Sequence, residues 1–300
     1  MKKLKKRTLV VIFVGLITLM AAGCGKMTPE TLTKKVAQNI KENPVTCGEI
    51  DMDLKLSYGA DLMGMGLNMD LAMNMVMEAM ADPETFENYT DSTVTLSMMG
   101  QEMTTDLIFH TLNENDQMVT YTYTGATDSW YRTESGLSPA EYKNFVLSIP
   151  SFDALQPETM LEEETKEIAG KAVYVLHVTY TGEDLQGLLS GVQSAGIMGE
   201  EIPAESFSGI KAPSILYVDT KTLLPVQIEI DVEGLESWIN KILEQQMGVL
   251  EEQDISVSVE IEDYHLVMKD LEYGAQKLPE LPPEAKDASG MPEEIPTNIL

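Results

Sequence analysis

A chain of 300 residues and 33.2 kDa, 43% hydrophobic and 23% charged, is long enough for one large domain or two small ones. That composition excludes a collagen, a wholly disordered chain and a polytopic membrane protein. Forty-nine Asp and Glu against 20 Lys and Arg leave a net charge of −29, and a surface so acidic repels phosphate backbones and anionic headgroups, which excludes a nucleic-acid binder.

Five of the basic residues (Lys2, Lys3, Lys5, Lys6 and Arg7) stand at the very N-terminus, ahead of an uncharged run from Thr8 to Gly23 rich in Leu, Val and Ile. The run is shorter than the roughly 20 residues that a membrane span needs, so residues 1–23 read as an export signal. It ends in Ala21-Ala22-Gly23-Cys24, which resembles a bacterial lipobox. That resemblance implies acylation of the Cys24 thiol and cleavage before it, leaving residues 24–27 as a lipidated tether to the cell membrane and the folded part on its extracellular face. The alternatives are an uncleaved anchor or an ordinary secretory signal. With Cys24 acylated, Cys47 is left alone and has no intrachain disulfide partner; it reads as a small apolar residue.

Thr28-Pro29-Glu30 supplies a cap, a first-turn proline and a first-turn acid to a helix whose stripe is Leu32, Val36 and Ile40, ending near Asn43-Pro44. From there the period falls to two. Ile50, Met52, Leu54, Leu56 and Tyr58 alternate with polar residues, and Met65, Leu67, Met69, Leu71, Met73, Met75 and Met77 then occupy seven successive odd positions. A strand of that length would run about 40 Å. A hairpin meander follows: Val94 to Met98, a turn at Gly100, Met103 to Phe109, a turn at Asn113-Glu114-Asn115-Asp116, Val119 to Tyr123, and a close at Trp130 and Tyr131. Ser138-Pro139-Ala140-Glu141 reads as a capping box opening a helix that Pro150 ends. The second half repeats the theme: a strand pair around 162–168 and 173–180, a helix with Leu185, Leu188, Leu189 and Val192, a strand pair around 215–218 and 226–232, a helix carrying Leu235, Trp238, Ile239, Ile242, Leu243 and Met247, and a last strand from Ile255 to Met268. Residues 274–300 hold five prolines and several acids without an apolar period, which predicts a disordered acidic tail.

Hairpins with interspersed helices predict an α+β fold in which long twisting strands coil into a strongly curved antiparallel sheet, an incomplete β-barrel with helices packed on or across its concave side. Eleven of the 20 methionines fall between Met52 and Met103. Methionine is unbranched and adaptable, so the odd-numbered row Met65, Leu67, Met69, Leu71, Met73, Met75 and Met77 is the candidate lining of an apolar trough, covered by the glycine-punctuated segment at Gly182, Gly187, Gly191 and Gly196. The other reading is that these side chains simply pack beneath helices.

The lipobox, the short capped helix, the Met-rich meander, the Tyr121, Tyr123, Trp130 and Tyr131 close, and the hairpin Ile215-Leu216-Tyr217-Val218-Asp219-Thr220-Lys221-Thr222-Leu223-Leu224-Pro225-Val226 together resemble a family of Gram-positive surface lipoproteins, similar to the lipoprotein-carrier superfamily that includes LolA, LppX and LprG. The resemblance spans residues 28–273. It implies a half-barrel closed by helices, an interior for lipid or lipid-modified cargo, and no catalytic residue to carry over.

No enzyme motif emerges from the residues themselves. His110, His177 and His265 are far apart in sequence, and there is no zinc-binding His-Glu-x-x-His, nucleophile elbow or phosphate-cradling glycine loop. No metal or cofactor is expected, and the runs Leu161-Glu162-Glu163-Glu164 and Glu251-Glu252 read as wet faces. The sequence therefore points to a non-enzymatic, lipid-anchored binding protein for a lipid or hydrophobic small molecule. The alternative is a cell-surface structural or protein-interaction module with a packed interior, and an extracellular hydrolase is a distant third.

Overall fold

In the computed structural model, residues 27–62, 65–136, 138–140, 158–182, 209–247 and 255–290 are described. They form one thirteen-stranded sheet and two helices, α1 (Pro29–Glu42) and α2 (Leu235–Met247). The strands in chain order are β1 (Val45–Leu62), β2 (Met65–Ala81), β3 (Asn88–Met98), β4 (Gln101–Glu114), β5 (Gln117–Thr124), β6 (Ser129–Glu134), β7 (Glu158–Leu161), β8 (Lys166–Ile168), β9 (Lys171–Thr181), β10 (Lys211–Asp219), β11 (Pro225–Ile230), β12 (Ile255–Tyr273) and β13 (Ser289–Gly290). In space the sheet runs β13-β6-β5-β4-β3-β2-β1-β12-β11-β10-β9-β7, with β8 also on β9. All pairs are antiparallel except β13 on β6.

Local chemistry explains the hairpins. Asn115 and Asp116 turn β4 into β5 with φ of 51° and 67°, and Met99 and Gly100 turn β3 into β4 with φ of 53° and 76°. Two successive left-handed residues match the twist of the flanking strands, and Asn, Asp and Gly adopt that conformation at least cost. At the β10–β11 turn the Asp219 Oδ1 accepts from the backbone N–H of Lys221 (2.6 Å) and Thr222 (3.2 Å). This Asx turn also docks α1, because Asn39 Nδ2 donates to the Thr222 carbonyl at 2.9 Å.

The expected strongly curved, incomplete barrel does not form. The sheet is one open path whose edges do not meet, and its two helices are not laid across a concave interior. A barrel needs one apolar face turned inward along every strand. Here buried apolar residues lie on both faces, with Val173 and Val175 on the side opposite Leu176 and Val178, and Met118 on the side opposite Val119. At the β9–β10 end, Leu32 and Val36 of α1 pack on Leu176, Val178, Leu216 and Val218. Following the register from Leu216 through Ile228, Met268 and Ile50 to Met77 places this cluster on the methionine-bearing face. At the far end, Val119 and Tyr121 pack with Ala285, Leu281 and Ala288 on the reverse face. Each edge is also blunted locally, by the two-residue parallel bridge of β13 to β6 and by the short β7 and β8 on β9, so nothing drives closure.

Residues 281–290, within the stretch expected to be a disordered tail, thus dock on the sheet through a 3-10 helix (Pro283–Asp287) and β13. The Leu281, Ala285 and Ala288 contacts are too few, and two of them too small, to stand out in sequence as an apolar period.

Helix α2 lies beside the free edge of β12, beyond the point where β11 stops. Asn240 closes a two-bond ring with the backbone of Val259, Nδ2 donating to its carbonyl (2.6 Å) and Oδ1 accepting from its N–H (2.7 Å). The side-chain amide stands in for the missing strand. Asn240→Ala should lower stability by about 1–3 kcal/mol, because both Val259 backbone groups lose their partner in a largely buried place. A urea midpoint unchanged from wild type would refute this assignment.

Candidate functional site

Strand pairing carries the methionine row into a continuous apolar face. Met77, Met75, Met73, Leu71 and Met69 of β2 stand opposite Ile50, Met52, Leu54, Leu56 and Tyr58 of β1, and opposite Ser92, Val94, Leu96 and Met98 of β3 where that strand extends. On its other side β1 adds Met268, Leu266 and Tyr264 of β12. Four adjacent strands therefore present apolar side chains to one side over successive register steps. The reverse face of the same strands is polar and cross-linked: Ser57 Oγ donates to Asp70 (2.8 Å), Asn74 Nδ2 to Asp53 (2.9 Å), Thr93 Oγ1 to Asp106 (2.9 Å), and Lys269 Nζ pairs with Glu49 (2.6 Å) and Asp51 (2.7 Å). Those two carboxylates push the Lys269 ammonium pKa well up. Alternation is what separates the two chemistries, since neighbouring residues point to opposite faces.

Of the seven residues singled out in the sequence, the five whose side chains are described, Met69, Leu71, Met73, Met75 and Met77, are half-buried. Met65 and Leu67 belong to β2, but their side chains fall outside the described residues, as do Cys24 with the whole of residues 1–26 and the glycine-punctuated segment 183–208. On the same face, towards the β3–β4 turn, Met98 is 43% and Met103 41% exposed, and Met99 in the turn is 76% exposed. The sequence places Met98 and Met103 only in strands; the pairing of Leu71 with Met98 and of Leu96 with Met103, which joins these two to the methionine row, is a tertiary fact. Among the described residues, α1 packs on this face over β9 and β10 rather than over β2.

The histidines are elsewhere. His110, His177 and His265 all lie on the reverse face, on β4, β9 and β12. His110 is 2% exposed between the rings of Tyr89 (centroids 4.7 Å) and Trp130 (6.0 Å), and burial pushes its pKa down. His177 Nε2 is 3.1 Å from Glu162, whose carboxyl pKa is lowered by that hydrogen bond and by Lys166. His265 Nδ1 is 2.8 Å from Asp231, which raises the imidazole pKa. No two histidines share a partner. Cys47 is half-buried, and desolvation, with Glu272 and Glu78 nearby, raises its thiol pKa, the opposite of what a nucleophile requires. Among the described residues no three His, Cys, Asp or Glu side chains converge as metal ligands, and no helix is long and apolar enough to cross a membrane.

No protein-family model matches the sequence, and no curated protein matches it. Among solved structures the chain is similar to LprF from Mycobacterium bovis, at 10% identity and a TM-score of 0.35 over 79% of this chain and 92% of that one. It is similar also to the Mycobacterium tuberculosis lipoprotein LppX, at 11% identity and a TM-score of 0.31 over 81% of this chain and 95% of that one.

Proposed function

We propose that the protein is a non-enzymatic, lipid-anchored binding protein of the extracellular face of the cell membrane, and that the apolar face of β12-β1-β2-β3 holds an acyl chain or similarly lipid-like ligand. The observation that supports this reading is the methionine row itself: a central strand, flanked on both sides by other strands, whose apolar side chains stay half-buried instead of disappearing into a core. A central sheet face meant only for packing favours Val, Ile and Leu, whose rotamers are well defined; Met pays little to rearrange around chains of varying shape. The binding mechanism is desolvation. An acyl chain laid along the row gains about 0.8 kcal/mol per buried methylene and needs few hydrogen bonds, which suits a face with no ionisable side chain at Met69, Leu71, Met73, Met75 or Met77. Acylation of Cys24 would keep this face near its source of ligand.

The test is native mass spectrometry of residues 25–300, purified without detergent, followed by organic extraction and addition of a fluorescent fatty acid. A discrete co-purifying apolar mass, or saturable uptake of the probe, is the expected result. A clean apo mass with no uptake would overturn the reading.

A further inference from the structure

On the reverse face, at the opposite end of the sheet from α1, the docked tail and the last strands of the meander leave a cleft of about 700 Å³. Its floor is a single register row, Ile108 on β4, Tyr123 on β5 and Trp130 on β6. The Tyr123 and Trp130 rings have centroids 5.4 Å apart and are inclined at 46°, so neither covers the other as a parallel stack would. Both side chains are half-buried. Around them stand three carboxylates. Asp128 accepts a hydrogen bond from Tyr123 Oη at 2.9 Å, which holds its carboxylate beside the rings, and Glu284 and Asp287 come from the 3-10 helix that walls the other side. No lysine or arginine is among the lining residues. The nearby Arg132 is occupied by Glu134 (2.6 Å) and Glu114 (3.3 Å).

We infer that this cleft binds an organic cation, an alkylated or quaternary ammonium group seated on Trp130 and Tyr123 and neutralised by Asp128, Glu284 and Asp287. Three lining carboxylates, with Lys286 of the same 3-10 helix outside the lining, repel an anion and favour a positive guest. Aromatic faces select the kind of cation: a large, weakly hydrated ammonium is attracted by the ring quadrupole and loses little solvation on contact, whereas a small metal ion needs converging oxygens at coordination distance. The carboxylates do not converge in that way. A neutral sugar could stack on the same rings, but it would leave the concentration of negative charge unanswered. The volume suits a ligand larger than the ammonium head alone, with the remainder lying on Ile108.

The experiment is calorimetric titration of the full chain, held in a nonionic detergent, with choline chloride and with its neutral isostere 3,3-dimethylbutan-1-ol. Choline is expected to bind saturably, the neutral analogue roughly tenfold or more weakly, and Trp130→Leu to abolish the signal. Because Trp130 also touches the tail cluster and that variant could loosen the fold, the exposed pair Glu284→Gln and Asp287→Asn is the second probe; it should weaken choline about fivefold or more with the melting temperature unchanged. The inference is overturned by absence of saturation below about 50 mM choline, by equal binding of the neutral analogue, or by unchanged affinity in the Glu284→Gln/Asp287→Asn protein. Binding of a chitin oligosaccharide that Trp130→Leu removes, with choline inert, would overturn it in favour of a sugar site.

Discussion

Substituting Met69 and Met73 together by Asp is expected to abolish retention of an acyl ligand. Both side chains are half-buried on the apolar face, two register steps apart, opposite Tyr58 and Leu54. A chain lying along β2 would pass over both, so each new carboxylate would be desolvated by the ligand without a partner, at a cost of several kcal/mol against about 0.8 kcal/mol for each methylene contact. The predicted loss of affinity exceeds a hundredfold. The control lies three residues beyond Met73: Val76→Asp introduces the same charge on the same strand but on the reverse face, at a side chain already 41% exposed, and should leave uptake as in wild type. Met98→Asp, on the apolar face and 43% exposed, should weaken binding without threatening the fold. Equal lipid retention in the double variant and the wild type, read by extraction and by probe fluorescence, would remove the methionine row from consideration.

Leu32→Ala should be the most destabilising single truncation in α1, costing about 3–5 kcal/mol. Leu32 is fully buried and, with Val36, forms the helix's whole buried contact with Leu176, Val178, Leu216 and Val218. A cavity there is walled by side chains of two paired strands, Leu176 and Val178 of β9 and Leu216 and Val218 of β10, whose backbones are held by the sheet and cannot collapse to fill it. The neighbouring Lys35 is exposed, and Lys35→Ala should stay within about 0.5 kcal/mol. Chemical denaturation followed by limited proteolysis in α1 separates the two cases. Equal midpoints for Leu32→Ala and wild type would mean that α1 is not held by this cluster.

Much of this architecture was legible because period and punctuation are local. Thr28 caps α1 as expected, with its hydroxyl accepting from the Thr31 N–H at 3.2 Å and Pro29 in the first turn. Alternation placed β1, β2 and β12, and Asn115-Asp116 and Gly100 placed their turns. The strand pair expected around 162–168 and 173–180 was less well placed: β7 ends at Leu161, and two short strands, β7 and β8, share β9. Short edge strands have too few residues to show a period. The helix expected from Pro139 lies outside the described residues after residue 140. Curvature failed for a different reason. Each strand's apolar face was identified, but the face on which a cover sits depends on α1 and on the tail, whose docking positions are not encoded in the strands. The aromatic residues of the meander were noticed as a group, yet only pairing reveals that Tyr123 and Trp130 share a row while Tyr131 lies one residue out of phase with it.

The longest pairing in the sheet also sets an order of events. β1 and β12 are matched from Val45 with Tyr273 to Leu62 with Ile255, so the central seam of the molecule joins segments separated by most of the chain. Pairings at large sequence separation are slow to form, because loop closure must be paid before any contact rewards it. As the polypeptide emerges from its N-terminus, the β1-to-β6 meander can zip by successive hairpins while one long edge of β1 waits unpaired. Such a long unpaired edge is an aggregation-prone surface. Its protection arrives late, with residues 255–273, and any delay in completing the last part of the chain would lengthen its exposure.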